Sequence, residues 1–173
     1  MKQFLLVCLL SAVSHTSVRA QAPKQFNPAD EIQTGNLKGL KAVGVIVAEL
    51  SSDLERSGLI QDDIKADTEL RLKQSGIKVL TGKQRLQTPG RPYLYISITS
   101  VCQGTTKSCA VDVGVRLMES IQLERDSNVR TNAAVWQRDV LTVIEKKHLD
   151  SVRGLVTEFV EQFKAAVRSA NPT

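Results

Sequence analysis

The chain has 173 residues, with 23 basic and 18 acidic side chains, a net charge of +5, two histidines and three cysteines. That length holds one domain with a proper core and is too short for two. Its basic residues are scattered among acids, as in Leu54-Glu55-Arg56 and Glu124-Arg125-Asp126, rather than gathered on one face, which sets nucleic-acid binding aside.

The first stretch, MKQFLLVCLLSAVSHTSVRA, places Lys2 before an apolar run over 4–10 that is too short to span a bilayer. Small residues then lead to two sites for a signal peptidase, after Ala20 or after Ala22. The pattern predicts a cleaved signal peptide over 1–20 and export to the periplasm or beyond. Cys8 lies inside the apolar run, so no lipid-anchoring signal is expected, and no later run approaches membrane length. Removing the signal also removes Lys2, Arg19, Cys8 and His15. The mature chain then carries a net charge of +3, with Cys102, Cys109 and His148. Residues 21–38 hold two prolines and no periodicity and read as a flexible leader ahead of one domain over 39–171.

Residues 40–50, LKAVGVIVAEL, form a nearly continuous β-branched run and predict a buried strand. A helical period follows: Ile60, Ile64, Thr68 and Leu72 recur every four residues. Asp62-Asp63 match the positive end of a helix dipole, and Gly76 is placed for a left-handed cap. IKVL (77–80) is a short strand, and TGKQRLQTPGRP (81–92) reads as a loop. GIKVLTGK fails as a phosphate loop, having five residues between its glycines and Gln84 after the lysine.

The segments 93–102 and 109–117 carry the most information. In YLYISITSVC the apolar positions are Leu94, Ile96 and Ile98; in CAVDVGVRL they are Val111, Val113, Val115 and Leu117. Antiparallel pairing puts all of these on one side only if Cys102 stands opposite Cys109, since a slip by one residue would reverse the faces. Directly opposed residues lie about 4.5–5.5 Å apart at Cα, within reach of a disulfide. The reading is therefore a Cys102–Cys109 bridge, with two unpaired thiols as the alternative. Zinc lacks ligands, and redox work usually shows a C-x-x-C spacing.

A bulge, or an exit from the core, is expected near Met118-Glu119, a turn at 125–128, and another strand at 133–144. Leu149, Val152, Leu155, Val156, Phe159, Val160, Phe163 and Val167 then mark a closing amphipathic helix. The expected fold is α+β: a two-layer sandwich with a four- to five-stranded, mainly antiparallel sheet and two helices on one face. The uncovered face would carry Tyr93, Tyr95, Ser97, Thr99, Asp112, Arg116 and Trp136. Burial of Tyr93 and Tyr95 by neighbours such as Arg116 and Met118 is the alternative reading.

Glu69-Leu70-Arg71-Leu72, Gly76-Ile77, Pro92-Tyr93-Leu94-Tyr95, Trp136 and Ala170-Asn171-Pro172 together resemble a group of small secreted bacterial proteins without known activity. The element order is also similar to envelope accessory domains, namely the lipopolysaccharide-assembly lipoprotein and the N-terminal domain of the Tol–Pal periplasmic protein. This chain departs from the former in lacking a lipid-anchoring motif.

No catalytic constellation, metal ligand set or cofactor motif is expected. His148, in Glu145-Lys146-Lys147-His148, reads as a solvated residue before the last helix. The leading reading is an exported, non-catalytic module that binds a protein partner in the cell envelope, or assists envelope assembly, through its open sheet face. The alternative is a small periplasmic hydrolase whose polar groups, drawn from Asp112, Glu119, Asp139 and His148, meet only in the folded state. A small-molecule site between helices and sheet is a third option.

Overall fold

The computed structural model describes residues 33–104 and 106–172; the expected signal peptide and most of the expected leader lie outside them. Its elements run β1 (Ala42–Val47), α1 (Ser52–Arg56), α2 (Gln61–Gln74), β2 (Lys78–Val79), α3 (Gly82–Gln87), β3 (Tyr93–Cys102), β4 (Ser108–Leu123) and β5 (Asp126–Glu145). A 3-10 turn (Lys146–Ser151) and α4 (Val152–Ala170) complete the chain. The strands form one sheet in the order β2-β1-β3-β4-β5. β1 is parallel to both of its neighbours, and the longer pairings β3–β4 and β4–β5 are antiparallel. The fold is α+β with an open sheet, as the alternation of periods implies. It has more helices than the two expected.

Helix α2 begins one residue later than its period suggested. Ile60 is its N-cap and is 55% exposed, while Ile64, Thr68 and Leu72 are buried. Gly76, at φ +82, ends it as expected: its N–H reaches the Lys73 carbonyl and Ile77 N–H reaches back to Leu72, closing a Schellman turn. Helix α4 buries Val152, Val156, Phe159, Val160, Phe163 and Val167 on one stripe. The buried stripes of α2 and α4 join the inward residues of the sheet in one hydrophobic core. Two ion pairs link these helices, Arg71–Glu161 at 3.1 Å and Arg153–Asp67 at 2.9 Å through Nε. Burying each large aliphatic chain of this core contributes about 1.5–3 kcal/mol, before the entropy of ordering is set against it.

The β3–β4 register is the one demanded by the apolar pattern: Leu94 faces Leu117, Ile96 faces Val115, Ile98 faces Val113, Ser100 faces Val111 and Cys102 faces Cys109. At that last rung the sulfurs are at bonding distance, 1.98 Å, with the Cα atoms 4.3 Å apart.

Three segments differ from the sequence reading. Residues 81–92 are not all loop: Thr81 and Gln84 form a reciprocal capping box that starts α3. β5 begins at Asp126, with the turn at 124–125, because 126–134 pair with the outer part of β4 in a polar ribbon. The leader expected through 38 is packed over its last residues. Leu37 is fully buried, and Asn171 holds its neighbourhood by accepting from Gly39 N–H at 2.6 Å and donating to the Leu37 carbonyl at 2.9 Å.

Candidate functional site

Inward residues of β3 and β4 alternate with a second set that no long helix covers. From the sheet's centre outward, this face presents Tyr93 opposite Met118, Tyr95 opposite Arg116, Ser97 opposite Gly114, Thr99 opposite Asp112, and Val101 opposite Ala110. β5 extends these rows with Gln137 beside Arg116, Asp139 beside Gly114, Leu141 beside Asp112 and Val143 beside Ala110. The expected Tyr93, Tyr95, Asp112 and Arg116 therefore do share one face.

Trp136 does not belong with them. It stands opposite Leu117, and direct partners in an antiparallel pair share a side, so its ring enters the core. There it is 1% exposed and packs edge-on against Phe163, with centroids 5.1 Å apart. Its indole N–H is buried without a hydrogen-bond partner. A bulge at Leu117/Met118, where Val135 is the extra residue of β5, lies where the sequence placed a break in parity.

The centre of the open face is polar and self-satisfied. Arg116 donates to Ser97 Oγ at 3.2 Å and pairs with the Asp139 carboxylate. Gly114 is the floor beneath them. A Cβ there would sit 2.5 Å from Asp139 Oδ1 and 3.0 Å from both Arg116 Nη2 and Ser97 Oγ, so only glycine lets this network lie flat on the sheet. Tyr93 and Tyr95 are half-buried, and the Arg85 guanidinium of α3 lies 4.9 Å over the Tyr93 ring. The short helix missed in the sequence thus covers one end of this face.

The opposite end is apolar and bare. Val101 is 64% exposed, Leu141 75% and Val143 72%, around Ala110, at the end of the hairpin that the cysteines close. Sequence reasoning missed these three. For Leu141 and Val143 the signal was the run Val140-Leu141-Thr142-Val143-Ile144, which is apolar at both parities and therefore leaves one set outside whichever face is buried.

Of the four groups considered for hydrolysis, Asp112 and Asp139 are diagonal neighbours on the open face, while Glu119 and His148 lie apart from them. Asp139 is held by Arg116, and His148 is exposed in the 3-10 turn beyond β5. Glu119 lies seven residues along β4 from Asp112, about 23 Å at the usual strand rise. It borders a cavity of about 320 Å³ with Lys38, Lys41, Thr88 and Pro92, and burial pushes its carboxyl above the ordinary glutamate range. Among the described residues no three His, Cys, Asp or Glu side chains are grouped to hold a metal ion, and no helix is long and apolar enough to cross a membrane.

The class defined by these observations is an open-faced α+β domain with a hairpin pinned at its tip. No family model matches the chain, and no curated protein matches it. Among solved structures, it is similar to a PelC dodecamer variant from Paraburkholderia phytofirmans, at 15% identity and a TM-score of 0.42, over 75% of this chain and 90% of that one. It is similar to the hypothetical protein CT253 from Chlamydia trachomatis, also at 15% and 0.42, over 76% and 99%. A second PelC dodecamer from P. phytofirmans gives 14% and 0.38, over 75% and 87%. None of these three is one of the envelope domains whose element order the sequence resembles.

Proposed function

We propose that this protein is an exported, non-catalytic module that binds a protein partner in the cell envelope through its open sheet face. The observation that carries the reading is the bare apolar row of Val101, Leu141 and Val143 on a face that α2 and α4 leave uncovered. Contiguous apolar surface rimmed by polar residues marks interaction sites on soluble proteins. Here the rim is Thr99, Asp112 and the Ser97–Arg116–Asp139 network. Export is supported by the amino-terminal signal pattern and by the cysteine pair at bonding distance, a bond that persists in oxidising compartments.

The test replaces Leu141 and Val143 together with glutamate, and separately Tyr95 and Arg116 together with alanine. The tagged mature protein is then crosslinked in its own envelope. Both doubles should lower capture of the partners seen with the wild type by about 10-fold or more. The Leu141/Val143 double should fold normally, since exposed substitutions shift stability by only about 0.5 kcal/mol each. Undiminished recovery of the same partners by both variants would remove the open face from consideration.

A further inference from the structure

The two edges of the sheet are finished differently. Beside the core, the outer edge of β5 is covered by the packed leader: Gln33 Oε1 accepts from Gln137 N–H at 3.0 Å, and Asn36 donates to the Val135 carbonyl at 3.0 Å. The other edge belongs to β2, which is only two residues long and pairs β1 at Ala42 and Val43 alone. One more bond, from Leu80 N–H to the Val43 carbonyl at 2.8 Å, ends that contact. The capping box at Thr81 then turns the chain into α3.

Beyond that point a single residue of β1, Val45, has no strand partner on this flank, and it is only 6% exposed. Gly44 N–H reaches the Pro92 carbonyl and Ala48 N–H reaches Ile96, so the even residues of β1 bond to β3. The N–H and C=O of Val45, one residue out of phase, face the other way. Val47 C=O, next in phase, is held at 2.8 Å by the side-chain amide of Gln61. Between Leu80 and Gln61, the described residues pair no strand with Val45. A cleft of about 460 Å³ opens there instead, floored by Val45 and its neighbours. Lys65, Glu69 and Lys73, spaced at i, i+4 and i+8 on α2, form one wall, and Arg85 of α3 stands at the other. Glu69 lies 3.8 Å from Lys73, so the wall's one acid already has a cation beside it. The cleft presents three cations against one carboxylate.

We infer that this cleft is a docking site for an extended, acidic segment of a partner protein, which adds to β1 as a short extra strand. The inference concerns a surface separate from the open apolar row and stands or falls without it. An added strand takes main-chain hydrogen bonds from the edge, and its alternate side chains point to the two layers of the fold. One set faces Lys65 and Lys73; the other faces Arg85. Negative side chains at both sets match what is there, and positive ones meet like charge. A main-chain edge recognises a peptide, which is why the occupant is an acidic polypeptide rather than another polyanion.

The probe is a fluorescent peptide repeating Val-Glu-Glu, which carries glutamate on both sides of an extended chain, titrated into the mature protein and followed by anisotropy. Saturable binding is expected. It should weaken by about 10-fold or more when lysine replaces glutamate in the peptide, when alternate peptide nitrogens are methylated, and in the Lys65→Glu/Lys73→Glu variant. Both lysines are exposed, so that variant should melt with the wild type. Oligothymidylate should not compete. The proposal is overturned by absence of saturable binding, by equal affinity for the lysine peptide, by indifference to methylation or charge reversal, or by displacement with oligothymidylate.

Discussion

The two faces of the sheet are built from the same strands and treated in opposite ways. On the inner side, Leu94, Ile96, Ile98, Val111, Val113, Val115 and Leu117 are at most 3% exposed, because α2 and α4 supply a second layer against them. On the outer side, equally apolar Val101, Leu141 and Val143 keep most of their surface in water. The contrast separates stability from recognition within a single strand pair. Substitutions at one parity remove core contacts, and substitutions of the exposed Val101, Leu141 and Val143 at the other leave the fold intact while changing what it presents.

The sharpest break in that contrast is expected at Trp136, the residue that crossed from the outer set to the inner. Trp136→Ala should cost about 3–5 kcal/mol in urea unfolding, as for a large aromatic removed from a core. Trp136→Phe should cost much less, because the indole N–H has no hydrogen bond to lose. Equal losses for the two would place the ring's role elsewhere than in Phe163 packing.

The next effect tests the join between the faces. Replacing Cys102 and Cys109 with alanine should cost about 2.5 kcal/mol, the loop-closure value for so short a ring. Reductant should lower the wild-type melting temperature by a matching amount and leave the variant unmoved.

The smallest effect lies at Glu119, where the sheet passes out of the core. Burial raises its carboxyl pKa in the folded state, so folding favours the protonated form. That contribution is fully present below the unfolded carboxylate pKa and is lost as pH rises through the folded one. Glu119→Gln should therefore raise the melting temperature at about pH 7 and converge with the wild type at about pH 3.5. A gap of constant size across that range would assign the effect to something other than ionisation. Glu161 has the opposite sign. Its hydrogen bond from Lys164, seconded by Arg71, holds its carboxyl below the usual range, and the stability it lends fades as pH falls.

The β3–β4 register was legible because seven apolar residues at fixed parity and two cysteines all demand the same alignment. Trp136 was misread for the converse reason. Its strand carries apolar residues at both parities, and only the partner across the rung, Leu117, decides which set is inward. The polar ribbon of 126–134 gave no period at all, since its order rests on main-chain pairing. Of the open face, Tyr93, Tyr95, Asp112 and Arg116 followed from parity. The bare Leu141 and Val143, and the reach of Arg85 over Tyr93, needed tertiary placement. The capping box of α3 was present as Thr81-x-x-Gln84, hidden by the glycines and prolines around it.

Asn171 touches Gly39, Leu37 and Val167 with one side-chain amide. That amide buckles the segment just before β1 to the end of α4, so residues 38 and 171 lie side by side. In a circularly permuted version, a short bridge could join them without disturbing any strand, and the break could move to the hairpin tip beside the sulfurs. Spatial adjacency of the elements, more than their order along the polypeptide, is what this architecture requires.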